Sequence, residues 1–410
     1  MVYLRRIADS ELDGALRRSG AVLLEGPKAC GKTATASRRA ASIVRADVDP
    51  SVAGQVAVDP SLVLEGPTPR LLDEWQIYPQ LWDAVRRAVD DGSARGQFIL
   101  TGSTAPSSDT VRHSGAGRFA RLRMHTMSLS ESGHSDDTVS LAALVRDEPP
   151  RAATASLGFT ELLTRIARGG WPGFADLSDE DAMRSVRDYV ETVATVDIDN
   201  AGKTRDPGRV RRLLAALARS TATEVTISTL ARDEASLSRD AVREYLDALT
   251  RIFVIEDQPA WSAHLRSSAT LRMEPKRHFC DPSLALALVG GDATSLRSNL
   301  GYAGQLFESQ VVHELRILSQ PLGGDVFHAR DSAGREVDAI VQLPDGSWSA
   351  FEIKLGASQE VVDAASATLR AFTANVAHPN KPILTVVTGT GASYRRSDGV
   401  NVVALGSLAF

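Results

Sequence analysis

Short apolar runs alternating with amphipathic stretches organise the first third of the chain. Residues 1–20 are charged and place Leu12 and Leu16 on one face of a predicted helix. The run Ala21-Val22-Leu23-Leu24 is short and continuously apolar, as a strand buried on both faces should be. A helix over about 32–41 follows, then a second apolar run at Val56-Ala57-Val58 and a short strand at Arg70-Leu71-Leu72. Leu81, Trp82, Val85 and Val89 share one helical face that Gly92 ends, and Phe98-Ile99-Leu100 is the next strand. A fifth strand is expected over 122–129, and 132–150 reads as an acidic, proline-containing linker. This alternation predicts an α/β fold built on a parallel, doubly wound sheet.

The pattern then turns helical. Leu162 and Ile166 belong to one helix, Gly169-Gly170-Trp171-Pro172-Gly173 breaks it, and Val186, Tyr189, Val190 and Val193 mark the next. Residues 206–261 read as a winged helix: a stripe at Val210, Leu213, Leu214 and Leu217, a short helix at 227–230, a third over 238–249 capped by Ser238, and a strand at 251–256. Arg239 and Arg243 on the third helix can meet DNA, while Asp240, Glu244 and Asp247 oppose that and favour a packing module. From Arg277 onward strands at 278–281, 337–341, 348–355, 382–387 and 400–405, with helices at 306–318 and 361–372, predict a mixed α/β domain.

Chemistry enters at Gly26-Pro27-Lys28-Ala29-Cys30-Gly31-Lys32-Thr33, which fits GxxxxGK[ST] directly after the first strand. A triphosphate needs many backbone N–H donors in a small volume, and glycines at 26 and 31 let the loop curl tightly, with the next helix adding its dipole. Lys32 is then expected at the β and γ phosphates and Thr33 on Mg²⁺. Asp73 and Glu74 end the third strand: the first carboxylate is expected to hold Mg²⁺ through water, the second to polarise the attacking water. Ser103, preferred to Thr101, is expected to sense the γ phosphate. The flexible segment from His113 leads into Arg118 and Arg121, either of which can act as a guanidinium finger in a neighbouring subunit or remain a surface arginine.

Composition narrows the setting. The 410 residues, 43% hydrophobic and 24% charged, are those of a soluble protein of two to four domains. A net charge of −5 confines any nucleic-acid surface to a local patch, and 5% aromatic content argues against an extended base-stacking platform. Two distant cysteines, Cys30 and Cys280, point to a reducing cytoplasm, and no apolar run nears the roughly 18 residues of a membrane span.

In the C-terminal part, Asp338 interrupts an apolar strand, and Glu352 and Lys354 project to one side of the next, giving D…ExK with thirteen residues between the two carboxylates. Two carboxylates can hold Mg²⁺ against a scissile phosphate while the lysine orients water, and Glu308 on the preceding helix can complete the metal site. The spacing resembles the PD-(D/E)xK nuclease fold. Together, GPKACGKT, RLLDEWQ, FILTGS, GAGRFARLRMHTMSLSE and RGGWPGF resemble a group of prokaryotic AAA+ ATPases whose C-terminal half is a domain of unknown function with a restriction-endonuclease-like core. The resemblance implies ATP binding and hydrolysis, a ring-like homo-oligomer with a hexamer as one size, and a helical lid after the sheet. Residues 158–196 fit that lid, where Arg168 either approaches the nucleotide or caps its helix. The expected order is ATPase core 1–150, lid 151–204, winged helix 205–275 and nuclease-like domain 276–410. Either ATP turnover drives DNA processing, or nucleotide state controls a regulatory scaffold whose C-terminal domain is inert.

Overall fold

The phosphate loop follows β1 (Ala21–Glu25), which is buried at every position but its last. A computed structural model describes residues 3–92, 94–104, 115–201, 205–233, 237–262, 274–331 and 334–410. In it β1 lies between two parallel neighbours in a five-stranded sheet. With β2 (Ser42–Arg45), β3 (Arg70–Asp73), β4 (Phe98–Gly102) and β5 (Phe119–Arg123), the order is β2-β3-β4-β1-β5. Leu24 and Asp73 both register with Thr101, so the carboxyl ends of β1, β3 and β4 lie level, where open parallel sheets bind ligands. Helix α1 (Ile7–Arg18) packs Leu12 and Ala15 with Val22, Leu24 and Leu122. The opposite face of β1 packs with Trp75, Leu81, Trp82 and Val85.

Three expectations shift here. Helix α2 spans only Lys32–Ser37, so its dipole is shorter than a helix to residue 41 would provide. The run Val56-Ala57-Val58 closes a helix, α3 (Ser51–Val58), while β2 has one buried residue, Val44, because an edge strand needs no continuous apolar run. The fifth strand starts at Phe119, before the expected 122, and leaves the sheet after Arg123; α4 (Gln80–Asp91) matches its expected face.

The expected linker is not a linker. It carries β6 (Val139–Ser140) and α5 (Leu141–Leu144), and β7 (Ala153–Thr154) follows; both strands pair with the far end of the chain. Helices α6 (Phe159–Arg168) and α7 (Asp179–Thr195) then flank the glycine-rich break. The order continues α8 (Pro207–Arg219), β8 (Thr223–Glu224), α9 (Ile227–Asp233), α10 (Arg239–Arg251), β9 (Ile255–Gln258) and β10 (Lys276–Phe279), with the strands in an antiparallel sheet ordered β8-β10-β9. A boundary at 275/276 therefore cuts a sheet: β10, expected to open the last domain, pairs with the preceding unit.

After α11 (Pro282–Leu288) and α12 (Ala293–Ser298), α13 (Leu300–Ser319) begins six residues before its expected start at 306. The last sheet runs β11 (Asp325–Arg330), β12 (Glu336–Gln342), β13 (Trp348–Lys354), β14 (Ile383–Thr388), β16 (Asn401–Ala404), β15 (Ala392–Arg395), β7. Its β11-β12-β13 part is antiparallel, and β13-β14-β16 is parallel. Helix α13 packs with Ala339, Val341, Phe351 and Ile353, whereas α14 (Gln359–Thr373) packs with Ile340, Ala350 and Val386. β17 (Leu408–Ala409) returns to β6.

Candidate functional site

The loop after β1 is shaped by residues without room for alternatives. A Cβ at Gly26 would collide with the Met124 carbonyl oxygen, and Gly31 sits at φ +102°, beside Ala29 at φ 61°. Left-handed residues within such a loop turn successive N–H groups toward one concavity. Lys32 is buried and donates to the Gly26 and Pro27 carbonyls at 2.9 and 2.7 Å, a folded-back posture within the loop. Thr33 Oγ1 donates to Asp73 Oδ1 at 2.8 Å, and Thr101 Oγ1 donates to the same oxygen. Glu74, in the left-handed region, accepts from the Gln76 amide and from Ser103 Oγ at 3.5 Å. The expected Lys32, Thr33, Asp73, Glu74 and Ser103 thus meet at one sheet edge. Thr33 and Asp73 offer hard oxygen donors, the kind Mg²⁺ requires. Cys30 is buried with Sγ 3.7 Å from the Met124 carbonyl, a packing role.

At this edge Asp197 and Tyr189 were not anticipated, and Thr101 was passed over. Thr101 tethers Asp73, where Ser103 had been preferred as the functional strand-end residue. From just after α7, Asp197 reaches Lys28 Nζ at 2.5 Å, and the Tyr189 hydroxyl of α7 donates to the Lys28 carbonyl at 3.4 Å. Lys28, Ser103, Tyr189 and Asp197 line a narrow crevice together with Ile252 and Val254, which follow α10. Arg168 has a different task from the nucleotide contact considered for it. It is buried and donates to the carbonyls of Phe174, Ala175 and Leu177 and to Asp179, holding the turn between α6 and α7. Arg118 pairs with Asp90 at 2.7 Å and Arg121 lies 3.7 Å from Glu25; both side chains are about half exposed. His113 and Ser114 lie outside the described residues.

The second cluster lies on α13, β12 and β13. Lys354 Nζ is 2.8 Å from Glu352 and 3.4 Å from Asp338, whose Oδ2 also accepts from the Ile353 backbone N–H at 2.8 Å. Glu308, the fourth expected member, is reached through a lysine that sequence reasoning missed: Lys276 of β10, 2.6 Å from Glu308 and 3.9 Å from Asp338. Burial, with the neighbouring Asp338 charge, raises both Glu308 and Glu352 to about 7. Burial opposes the charge on Lys354, but Asp338 and Glu352 outweigh it and hold the ammonium above its usual range. Asp338 and Glu352, the expected metal pair, lie on adjacent strands with Lys354 between them. The carboxylates are ion-paired with lysines, and among the described residues no group of three or more His, Cys, Asp or Glu side chains is placed to hold a metal.

Residues 18–133 match the AAA domain family. The N-terminal third is similar to AAA-type ATPases. Residues 160–295 and 303–408 match two domains of unknown function, DUF8612 and DUF4143. The first match runs from α6 on past β10. Uncharacterized proteins of Mycobacterium tuberculosis (Rv2008c) and Mycobacterium bovis (Mb2031c) are each 28% identical over 360 residues, covering 86% of this chain and 74% of theirs. Among solved structures, the Walker-type ATPase PABY2304 of Pyrococcus abyssi aligns at 13% identity over 70% of this chain and 96% of its own, TM-score 0.41. The replication initiator DnaA bound to AMPPCP and single-stranded DNA aligns at 14% identity over 61% and 89%, TM-score 0.27. No described helix is long and apolar enough to cross a membrane.

Proposed function

We propose that the chain binds and hydrolyses ATP with Mg²⁺ and uses the turnover to move a DNA-directed C-terminal half. The observation that carries the reading is the meeting of Lys32, Thr33, Asp73, Glu74 and Ser103 around a loop that only glycine can line at residue 26. Thr33 and Asp73 would hold Mg²⁺, which supplies positive charge at the phosphoryl group being transferred. Lys32 exchanges its loop carbonyls for phosphate oxygens, and Glu74, oriented by Gln76 and Ser103, takes the proton of the attacking water. Arg118 or Arg121, half exposed, completes the site from the next subunit of a cytoplasmic homo-oligomeric ring, with a hexamer as one size.

Residues 207–279 support a winged helix by their order of helix, strand, two helices and two strands, and by the sheet order β8-β10-β9. Its α10 exposes Arg239 and Arg243, though Arg243 pairs with Asp240 at 2.8 Å. The residues after α10 line the crevice at Lys28, which gives nucleotide state a route to this module. The last domain supports a PD-(D/E)xK reading through Asp338, Glu352 and Lys354 on adjacent strands with Glu308 behind them.

Phosphate release measured with and without linear, branched and single-stranded DNA tests the reading, with DNA length followed in the same samples. Glu74→Gln is expected to lower turnover about 100-fold or more while ATP still binds. Cleavage abolished by Asp338→Ala would establish DNA processing. A second reading, an ATP-dependent regulatory scaffold with an inert C-terminal domain, is favoured by Lys276 standing among the acidic side chains. It predicts turnover indifferent to DNA and no nicking in Mg²⁺ or Mn²⁺.

A further inference from the structure

The phosphate loop carries two lysines, and the chain itself engages both. Lys32 donates to the Gly26 and Pro27 carbonyls, uncharged groups of its own loop. Lys28 meets a full charge instead: Asp197, 169 residues further on, lies 2.5 Å from its ammonium. The Lys28 side chain is 44% exposed, but that of Asp197 only 6%, so the carboxylate is the partner withdrawn from water. Asp197 opens the turn Asp197–Ala201 after α7, and α7 touches the same loop residue again through the Tyr189 hydroxyl on the Lys28 carbonyl. Lys28 and Asp197 share their crevice with Ser103, whose Oγ is 3.5 Å from Glu74. The ion pair therefore stands beside the strand end where the third phosphate is expected. The free volume of the crevice is about 10 Å³, which leaves no phosphoryl-sized gap between α7 and the loop.

We propose that Asp197 is an internal stand-in for a terminal phosphate: its carboxylate holds Lys28 until the γ phosphate of a nucleoside triphosphate displaces it. This deepens the ATP-binding reading of the loop and rests on it. A γ phosphate beside Ser103 brings a second anion to one ammonium, and in a half-buried crevice the two anions repel with little screening. A diphosphate brings no such group and leaves the pair intact. Lys32 can exchange carbonyls for phosphate oxygens without expelling a charge, whereas Lys28 can do so only by releasing Asp197. The pair thus lowers affinity for triphosphate and not for diphosphate, and by linkage triphosphate frees the turn after α7 from the loop. Ile252 and Val254 line the same crevice, so the module around α10 is next to feel that release.

The test is calorimetric titration of the full chain with the non-hydrolysable triphosphate AMPPCP and with ADP, each with Mg²⁺. Asp197→Asn keeps the shape of the side chain and removes its charge. It is expected to tighten AMPPCP about tenfold and to change ADP less than about threefold. Asp197→Ala should do the same, which keeps the test open if one variant fails to fold. Adding Lys28→Met to Asp197→Asn should take the gain away, because the freed ammonium is its source. A gain that survives Lys28→Met would reduce Asp197 to a nearby negative charge and overturn the exchange. Equal changes for AMPPCP and ADP, or none, in folded protein that binds both would overturn it too, leaving the pair a structural tie. If folded wild type and variants bind neither nucleotide, it is the ATP-binding reading that fails.

Discussion

Glu314 on α13 shows how far one side chain can depart from what its type suggests. One carboxylate oxygen accepts from the Leu129 N–H at 2.9 Å and from Gln310 at 2.8 Å; the other is buried without a partner. Burial raises its pKa to about 8. A carboxyl raised above its unfolded value near 4.5 adds stability that is complete below that value and is lost as pH climbs toward 8. Glu314→Gln removes the ionisation. The variant should therefore gain on the wild type as pH rises from 5 to 8.5, by on the order of a few kcal/mol at about 1.4 kcal/mol per pKa unit. Thermal melts across that range check it, and a constant difference would show that the carboxyl does not titrate there. Periodicity gives no warning of this residue, because a glutamate in an amphipathic helix normally faces water. The phosphate-loop residues were legible for the opposite reason: their chemistry demands a fixed local spacing.

At the scale of elements, the break between α6 and α7 is a junction rather than a simple turn. The Met127 N–H donates to the Gly170 carbonyl at 2.6 Å, the Gly170 N–H to Asp281 at 2.9 Å, and Trp171 Nε1 to Ser283 at 3.1 Å. Asp281 also accepts from Thr126 at 2.8 Å, so the segment after β5, the break between α6 and α7 and the start of α11 close on one carboxylate. A Cβ on Gly170 would strike the Met127 backbone, which has no side-chain freedom to yield. Gly170→Ala is expected to cost about 1–3 kcal/mol, read as a lower urea midpoint at unchanged slope. The break itself was visible in Gly169-Gly170-Trp171-Pro172, but its partners, more than 100 residues away at Asp281 and Ser283, were not. Strands β6 and β7 went unseen because two-residue strands have no period to detect.

Across the whole molecule, Glu256 of β9 joins three units. It pairs with Arg123 at the end of β5 at 2.6 Å and with Arg316 of α13 at 2.8 Å. Burial alone would raise its carboxyl, but the guanidinium groups of Arg123 and Arg316 prevail and hold it well below the usual range. His125 beside it is pushed down to about 3, chiefly by burial, and so stays neutral at pH 7. Glu256→Ala leaves two partly buried guanidinium groups without their shared carboxylate, and the loss is expected to cost up to about 3 kcal/mol, the low end for breaking a buried pair. Calorimetry is expected to show the cooperative melt shifting down and separating, with the ATPase sheet unfolding apart from the last domain. A uniform small shift would mean that the units are held together elsewhere.

What the sequence determined by itself is the local chemistry: the glycine loop with Lys32 and Thr33, the Asp73-Glu74 strand end, the parallel sheet and the D…ExK strands. Each is written within a few residues, because backbone curvature, strand alternation and helical period act over that distance. Tertiary structure decided what those pieces face. It set Asp197 on Lys28, Arg168 inside its own turn, β10 in the module before the last domain, and Lys276 among the carboxylates of the next. These pairings join residues distant along the chain. They depend on how packed elements exclude water and bring opposite charges together, and no local pattern records that.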